Sequence, residues 1–153
     1  NTVVPSGEDC GYKEFMKSVD VLVMGRNTFE QVLTFEAWPY EDKRVVVLSS
    51  KPLTVPVGLP NTVSASSEAP DILVERLFLE GAQRLYVDGG ITIQRFLAAG
   101  LIDDITITLI PVILGQGRSL FGPIENDIPL VHVATKAFEF GFVQIKYRAA
   151  RHA

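Results

Sequence analysis

The sequence predicts an α/β domain whose first part alternates strands with helical crossovers and whose last part is rich in β-structure. Three observations carry this. Apolar runs at Val21-Leu22-Val23-Met24, 44–48 and 84–87 each stop at glycine or serine and are followed by helical or turn-forming patterns. Ile105, Ile107 and Leu109 alternate with threonines, the signature of a half-covered strand. Residues 131–138 and 142–147 are two further strands joined around Glu139-Phe140-Gly141, most simply an antiparallel hairpin.

With 153 residues, 47% of them hydrophobic and 21% charged, the chain is long and apolar enough for one domain with a substantial core. A net charge of −4 without a dense basic run argues against nucleic acid as a partner. The longest apolar stretch, 105–114, contains two threonines and Pro111 and is too short for a membrane span. One cysteine, Cys10, excludes an internal disulfide framework and favours a reducing, cytoplasmic setting. With that single thiol and no close histidine pair, no metal site is expected.

Taken in order, residues 13–19 read as a short helix, with Phe15, Met16 and Val19 on one face, and Asp20 marks its exit. Residues 21–24 are uninterruptedly apolar, as expected of a strand covered on both faces. Thr28 followed by Gln31 fits a capping box opening a helix with Phe29, Val32 and Leu33. Trp38-Pro39 closes the connection to strand 44–48, which Ser49-Ser50-Lys51-Pro52 stops. Asn61-Thr62-Val63 reads as a short strand. Ser67 is the expected N-cap of a helix through Leu79, with a buried stripe of Ile72, Leu73, Leu77 and Leu79 and Gly81 at its C′ position. Residues 84–87 form the next strand, 92–99 the next helix, and Gly100 ends it. Gly115 and Gly117 mark a loop or bulge.

Gly89-Gly90 directly follows an apolar strand and precedes a helix, a place where a ligand can approach main chain closely and where unpaired helix-start N–H groups favour an anion. A tight turn is the structural alternative. Gly25-Arg26-Asn27-Thr28 repeats the arrangement and adds a guanidinium able to hold phosphate, or simply to face solvent. Ser49-Ser50-Lys51 places two hydroxyls and a cation at a third strand end. No full G-x-G-x-x-G or Walker A pattern is present.

Met24-Gly25-Arg26-Asn27-Thr28-Phe29-Glu30, Val47-Leu48-Ser49-Ser50-Lys51-Pro52 and Tyr86-Val87-Asp88-Gly89-Gly90 resemble, in order and spacing, the dihydrofolate reductase superfamily. The stretch from Gly100-Leu101-Ile102-Asp103-Asp104 through Pro111-Val112-Ile113-Leu114-Gly115 to Leu120-Phe121-Gly122 narrows the resemblance. It is similar to the C-terminal reductase domain of bacterial bifunctional riboflavin-biosynthesis deaminase-reductases and their stand-alone relatives. The resemblance runs from about Tyr12 to Tyr147.

What the resemblance implies is a dihydrofolate-reductase-like, three-layer α/β fold: a mostly parallel twisted sheet flanked by helices, with a C-terminal antiparallel hairpin. It further implies NADPH as cofactor and a homodimer. The family's glycine-arginine-threonine motif falls on Gly25, Arg26 and Thr28, which contribute phosphate contacts. Its serine pair falls on Ser49 and Ser50 near the adenosine 2′-phosphate, with Lys51 adding charge. Its glycine pair falls on Gly89 and Gly90 at the pyrophosphate, with Ile91 and Thr92 leading into the helix. On the substrate side, ungapped placement puts Asp9 at the position of the family's pterin-orienting carboxylate, beside Tyr12. Asp88 is the alternative acid, facing substrate or solvent.

The family also opens with a central apolar strand, which nothing before Ser6-Gly7-Glu8-Asp9 supplies. The expectation is a single domain over residues 1–153 whose first strand precedes Asn1 in a longer natural chain, the alternative being a member that has lost this part of its active site. The activity implied is hydride transfer to a small heterocyclic or ribosylaminopyrimidine-like substrate. The alternatives are dihydrofolate reduction, and a dinucleotide-binding or structural homodimer without efficient catalysis.

Overall fold

Strands built from unbroken runs of valine, leucine and methionine can be buried on both faces only in a parallel sheet covered by helices, and that sheet is what they form. The computed structural model describes residues 4–150, so the expectation about the chain before Asn1 lies outside them. Residues 11–101 make one compact unit; residues 4–10 together with 102–150 make a second.

In the first unit, β1 (Val21–Gly25), β2 (Arg44–Leu48), β3 (Val63–Ser66) and β4 (Leu85–Asp88) pair in parallel in the order β3-β2-β1-β4. Four helices accompany them: α1 (Tyr12–Ser18), α2 (Arg26–Val32), α3 (Pro70–Leu79) and α4 (Gly90–Ala98). Leu22, Val23, Met24, Val45, Val46 and Val47 are fully buried. Each contributes about 1.5–3 kcal/mol by leaving water, so the β1–β2 pair anchors this unit. Leu22 and Met24 stand beside Val45 and Val47 on one face, where Phe29, Val32 and Tyr40 complete a cluster flanked by Phe15, Trp38 and Tyr86.

Two polar contacts fasten the sheet's N-terminal edge. The Asp20 carboxylate accepts N–H bonds from Gln83 (2.7 Å) and Arg84 (2.9 Å), while its own N–H donates to the Arg84 carbonyl at 2.8 Å. Those bonds hold its carboxyl below the usual aspartate range. Lys43 Nζ donates to the carbonyls of Met16 (2.7 Å) and Val19 (2.6 Å), satisfying acceptors that the end of α1 leaves open.

Helix starts differ from the sequence-based expectation. α2 begins at Arg26 with Gly25 as N-cap and no side-chain cap, so Thr28 does not cap it. α3 begins at Pro70 with Ala69 as N-cap, instead of being capped by Ser67; a proline whose missing N–H costs nothing in a first turn sets the start. Leu73 and Leu77 are fully buried, but Ile72 and Leu79 are 50% and 82% exposed. At about 100° per residue, Ile72 and Leu79 are rotated off the stripe that Leu73 and Leu77 share. The C-terminus is as expected: Gly81 (φ +102°) donates to the Phe78 carbonyl and Ala82 to that of Leu77, a Schellman closure repeated by Gly100 and Leu101 after α4. α4 itself opens at Gly90, two residues before the expected Thr92.

The second unit is an antiparallel sheet of β5 (Asp104–Leu109), β6 (Leu130–Ala137) and β7 (Val143–Ala149) in the order β5-β7-β6. The β6–β7 hairpin turns at 138–142, with Phe138 N–H on the Phe142 carbonyl (2.8 Å) and Gly141 at φ +101°. On β5, Ile105 and Ile107 are half-buried as their alternation implies, whereas Leu109 is 54% exposed. Thr108 is drawn in instead, because Gln144 Nε2 donates both to its hydroxyl (3.2 Å) and to the Cys10 carbonyl (3.1 Å). Among the described residues no helix is long and apolar enough to cross a membrane.

The depressed Asp20 pKa has a stability consequence of definite sign. Its contribution is present above the unfolded value of about 3.9 and is lost as pH falls through the lower folded value. Asp20→Ala is expected to lower Tm near pH 7. Its deficit against the parent should shrink progressively in melts taken at increasingly acid pH.

Candidate functional site

The parallel pairing of β1 with β4 sets Met24 opposite Asp88, so the two glycine turns that follow these strands are neighbours. Both read Gly-x-x-Thr, and they interlock. A Cβ placed on Gly25 would stand 2.5 Å from the Thr92 hydroxyl oxygen; one on Gly89 would stand 2.5 Å from that of Thr28. Gly89 also sits at φ +96°, a conformation L side chains rarely adopt. The space these glycines leave is therefore filled by the opposite turn's threonine. Thr28 and Thr92, expected as cap and helix opener, act as the reciprocal plugs, and Thr92 is buried.

Gly90 is different. It is exposed, nothing lies within 4 Å of where its Cβ would be, and it is the first residue of α4, which has no side-chain N-cap. The first intrahelical bond, Ile93 N–H to the Gly89 carbonyl, is 2.8 Å. The amides ahead of Ile93 have no acceptor within the helix, and Gly90 at their head is exposed. Ile91 beside them is 67% exposed. Arg26, on the other turn, pairs through Nε with Glu30 at 2.9 Å on an exposed surface.

A second group gathers where β2 and β3 end side by side, the Ser49 N–H bonding the Ser66 carbonyl at 2.9 Å. A cleft there is lined by Leu48, Ser49, Ser50, Ser67, Glu68 and Arg95. The Ser49 hydroxyl closes its own turn, donating to the Lys51 carbonyl (2.8 Å) and accepting from the Lys51 N–H (3.3 Å). Ser50 is exposed. Lys51 is exposed too and does not line the cleft. Ser67, Glu68 and Arg95 are missed by sequence reasoning; only the β2–β3 pairing and the reach of α4 bring them here.

Asp88 is the third feature. Alternation along β4 puts Tyr86 and Asp88 on one face, the face Leu22 and Met24 share. Burial pushes the Asp88 carboxyl above the usual aspartate range, partly offset by the Gly89 N–H it accepts. Three phenols surround it electrostatically. Tyr12, Tyr40 and Tyr86 are each raised, first by burial and next by the Asp88 charge, Tyr40 to about 12. Their rings are held by edge contacts: Phe15 on Tyr86 at 4.9 Å, Trp38 on Tyr40 at 5.2 Å. Asp9 is exposed in the irregular stretch before α1 and is grouped with the antiparallel unit, whereas Tyr12 opens α1. Tyr40 and Tyr86 were not anticipated, although the two-residue spacing of Tyr86 and Asp88 on a strand was a visible signal.

This α/β unit, with paired glycine turns at adjacent strand ends and a half-buried acid beside them, carries the motifs of the family that the sequence resembles. Residues 11–142 match the RibD C-terminal domain family, and the chain belongs to it. It is 32% identical over 132 residues, 85% of this chain and 74% of the other, to the uncharacterized protein YwjB of Bacillus subtilis. Its fold superposes with a TM-score of 0.91 on a protein of Shewanella sp. PV-4, assigned by name only to riboflavin biosynthesis, at 37% identity over 98% of this chain and 85% of that one. The Thermotoga maritima diaminohydroxyphosphoribosylaminopyrimidine deaminase/5-amino-6-(5-phosphoribosylamino)uracil reductase has the same fold, with a TM-score of 0.70 at 15% identity, over 96% of this chain and 50% of its own. The chain is thus a RibD C-terminal-type domain, similar to a protein named for riboflavin biosynthesis and sharing its fold with a bifunctional deaminase/reductase.

The interlocked turns yield a double-mutant test. Gly25→Ala should cost about 1–3 kcal/mol by overpacking, and Thr92→Ala in the same chain should recover most of that loss. Gly89→Ala should cost as much or more, and Thr28→Ala should restore it only in part, because the positive φ persists. Gly90→Ala should stay within about 0.5 kcal/mol. Denaturant midpoints of the five variants decide it.

Proposed function

We propose that this protein is an NADPH-dependent reductase that transfers hydride to a C=N or C=O bond of a small heterocyclic or ribosylaminopyrimidine-like substrate. The observation that carries the reading is the position of Asp88, half-buried and flanked by tyrosines, immediately before an open glycine turn at the head of α4. The residues present fit a dinucleotide: Gly90 leaves main chain open to a pyrophosphate, exposed Ile91 continues that surface while buried Thr92 seats the turn, and Ser49 and Ser50 offer hydroxyls toward the adenosine end. Gly25, Thr28 and Gly89 hold the two turns in register, and Arg26 adds a cation at the rim of its turn.

The bound cofactor would supply hydride to the carbon of the reduced bond. The chain's own residues bind, orient and protonate. Asp88, whose proton affinity burial raises, would give its proton to the substrate nitrogen or oxygen and be reprotonated from solvent. Tyr12, Tyr40 and Tyr86 stay neutral throughout the physiological range, so they act as walls and hydrogen-bond donors and not as bases.

Asp88→Asn is expected to lower substrate-dependent NADPH oxidation by about 10²-fold or more while leaving cofactor affinity within a few-fold. Activity of the parent should fall as pH rises through the raised Asp88 value. The same raised value means Asp88 favours folding below its unfolded pKa and loses that contribution as pH rises, so the amide variant should gain Tm relative to the parent at pH 7 and not near pH 4. Unchanged turnover in the variant would remove Asp88 from the mechanism.

Homodimerisation is a second element of the proposal. The antiparallel unit exposes a run of apolar side chains, among them Ile113 (99%), Leu114 (72%) and Val131 (54%). Apolar surface of this extent on one unit fits self-association. Sedimentation should show a dimer for the parent, and Ile113→Lys with Val131→Lys should yield a monomer with an unchanged far-UV spectrum.

A further inference from the structure

The cleft at the ends of β2 and β3 contains a contradiction in charge. If it takes a phosphate, as the dinucleotide reading above requires, it does so with a carboxylate in its wall. Glu68 lines it beside Ser49, Ser50 and Ser67, and its only cationic lining residue is Arg95 from α4, since Lys51 lies outside. Glu68 is ionised under ordinary conditions. It accepts the Ser66 hydroxyl at 2.7 Å and its pKa is held low chiefly by Arg76.

Arg76 does not line the cleft, yet it grips Glu68 from behind. Its Nε reaches both carboxylate oxygens (2.9 and 3.1 Å) and its Nη2 bonds Oε1 at 2.7 Å. Its Nη1 bonds Glu80 at 3.0 Å, and Glu80 in turn accepts from Arg44 at 2.6 Å. Two carboxylates and two guanidiniums thus cancel. Arg95 has no ionic partner among the described residues and is left as the uncompensated charge at the cleft.

We propose that Arg95, and not Lys51, is the cation that receives the adenosine 2′-phosphate in this cleft, and that Arg76 sets the cleft's preference for that phosphate by neutralising Glu68. The inference rests on the dinucleotide reading. Arg76 is a positioning residue: exposed ion pairs of this kind contribute little to folding, but an uncovered carboxylate facing a dianion repels it strongly in a partly desolvated wall. Without Arg76, Glu68 would instead suit a free ribose 2′-hydroxyl, which a carboxylate accepts well.

The test is calorimetric titration of the folded chain with 2′,5′-ADP and with 5′-AMP. The parent should favour 2′,5′-ADP. Arg95→Met should weaken 2′,5′-ADP by about 10-fold or more with little effect on 5′-AMP, and Lys51→Met should change neither by more than about 3-fold. Arg76→Met should lower the 2′,5′-ADP to 5′-AMP affinity ratio by about 10-fold or more, and adding Glu68→Gln to it should restore the ratio. A purely structural role for Arg76 predicts equal losses for both ligands and no rescue. If the parent binds neither nucleotide, the dinucleotide reading falls and takes this inference with it. If the parent prefers 2′,5′-ADP but the Arg95 and Arg76 variants keep that preference, this inference alone is overturned.

Discussion

The reciprocal seating of two threonines in the space left by two glycines is the contact on which the proposed chemistry depends. Strands β1 and β4 pair in parallel, and each leaves the sheet through a Gly-x-x-Thr turn. Thr92 occupies the room beside Gly25, and Thr28 the room beside Gly89. Close packing allows no slack here, because a single added methyl on either glycine must displace a hydroxyl. The lock fixes where α2 and α4 begin, and with them the open amides after Gly89 and the position of Asp88.

This division of labour changes what the glycines mean. A glycine pair at a strand end is commonly read as clearance for a ligand. Here Gly25 and Gly89 provide clearance for the protein itself, and only Gly90 faces open space. Electrostatics follows the same geometry. A carboxyl on the core-facing side of β4 is desolvated along with the tyrosines around it, which is why their affinities for protons all move upward together. At the neighbouring cleft, Arg76 pairs with Glu68 and Glu80, and Glu80 with Arg44, so these four charges cancel and Arg95 gives the cleft its sign.

Much of the fold was legible because it rests on local patterns. The unbroken valine runs of β1 and β2, the threonine alternation of β5 and the glycines that close α3 and α4 each announce their own conformation. The helix starts were not legible. Thr28 and Ser67 have the chemistry of caps, but a capping side chain competes with whatever else its hydroxyl or its neighbours can do. Thr28 was claimed by Gly89, and Pro70 set the start of α3. Ile72 and Leu79 look as apolar as Leu73 and Leu77; which two are buried was decided by how the helix packs in the fold.

The sequence by itself determined the α/β class, the strand-end glycines and serines, and the family to which they point, since these are matters of residue type and order. Only the tertiary structure decided which glycine is open, which acid is buried, and which cation faces the serines. Each of those depends on residues far apart in the chain: Thr28 against Gly89, Asp88 within the electrostatic reach of Tyr12 and Tyr40, Arg95 beside Ser49 and Glu68. Burial and charge are sums over neighbours in space, and strand pairing, not sequence order, chooses those neighbours.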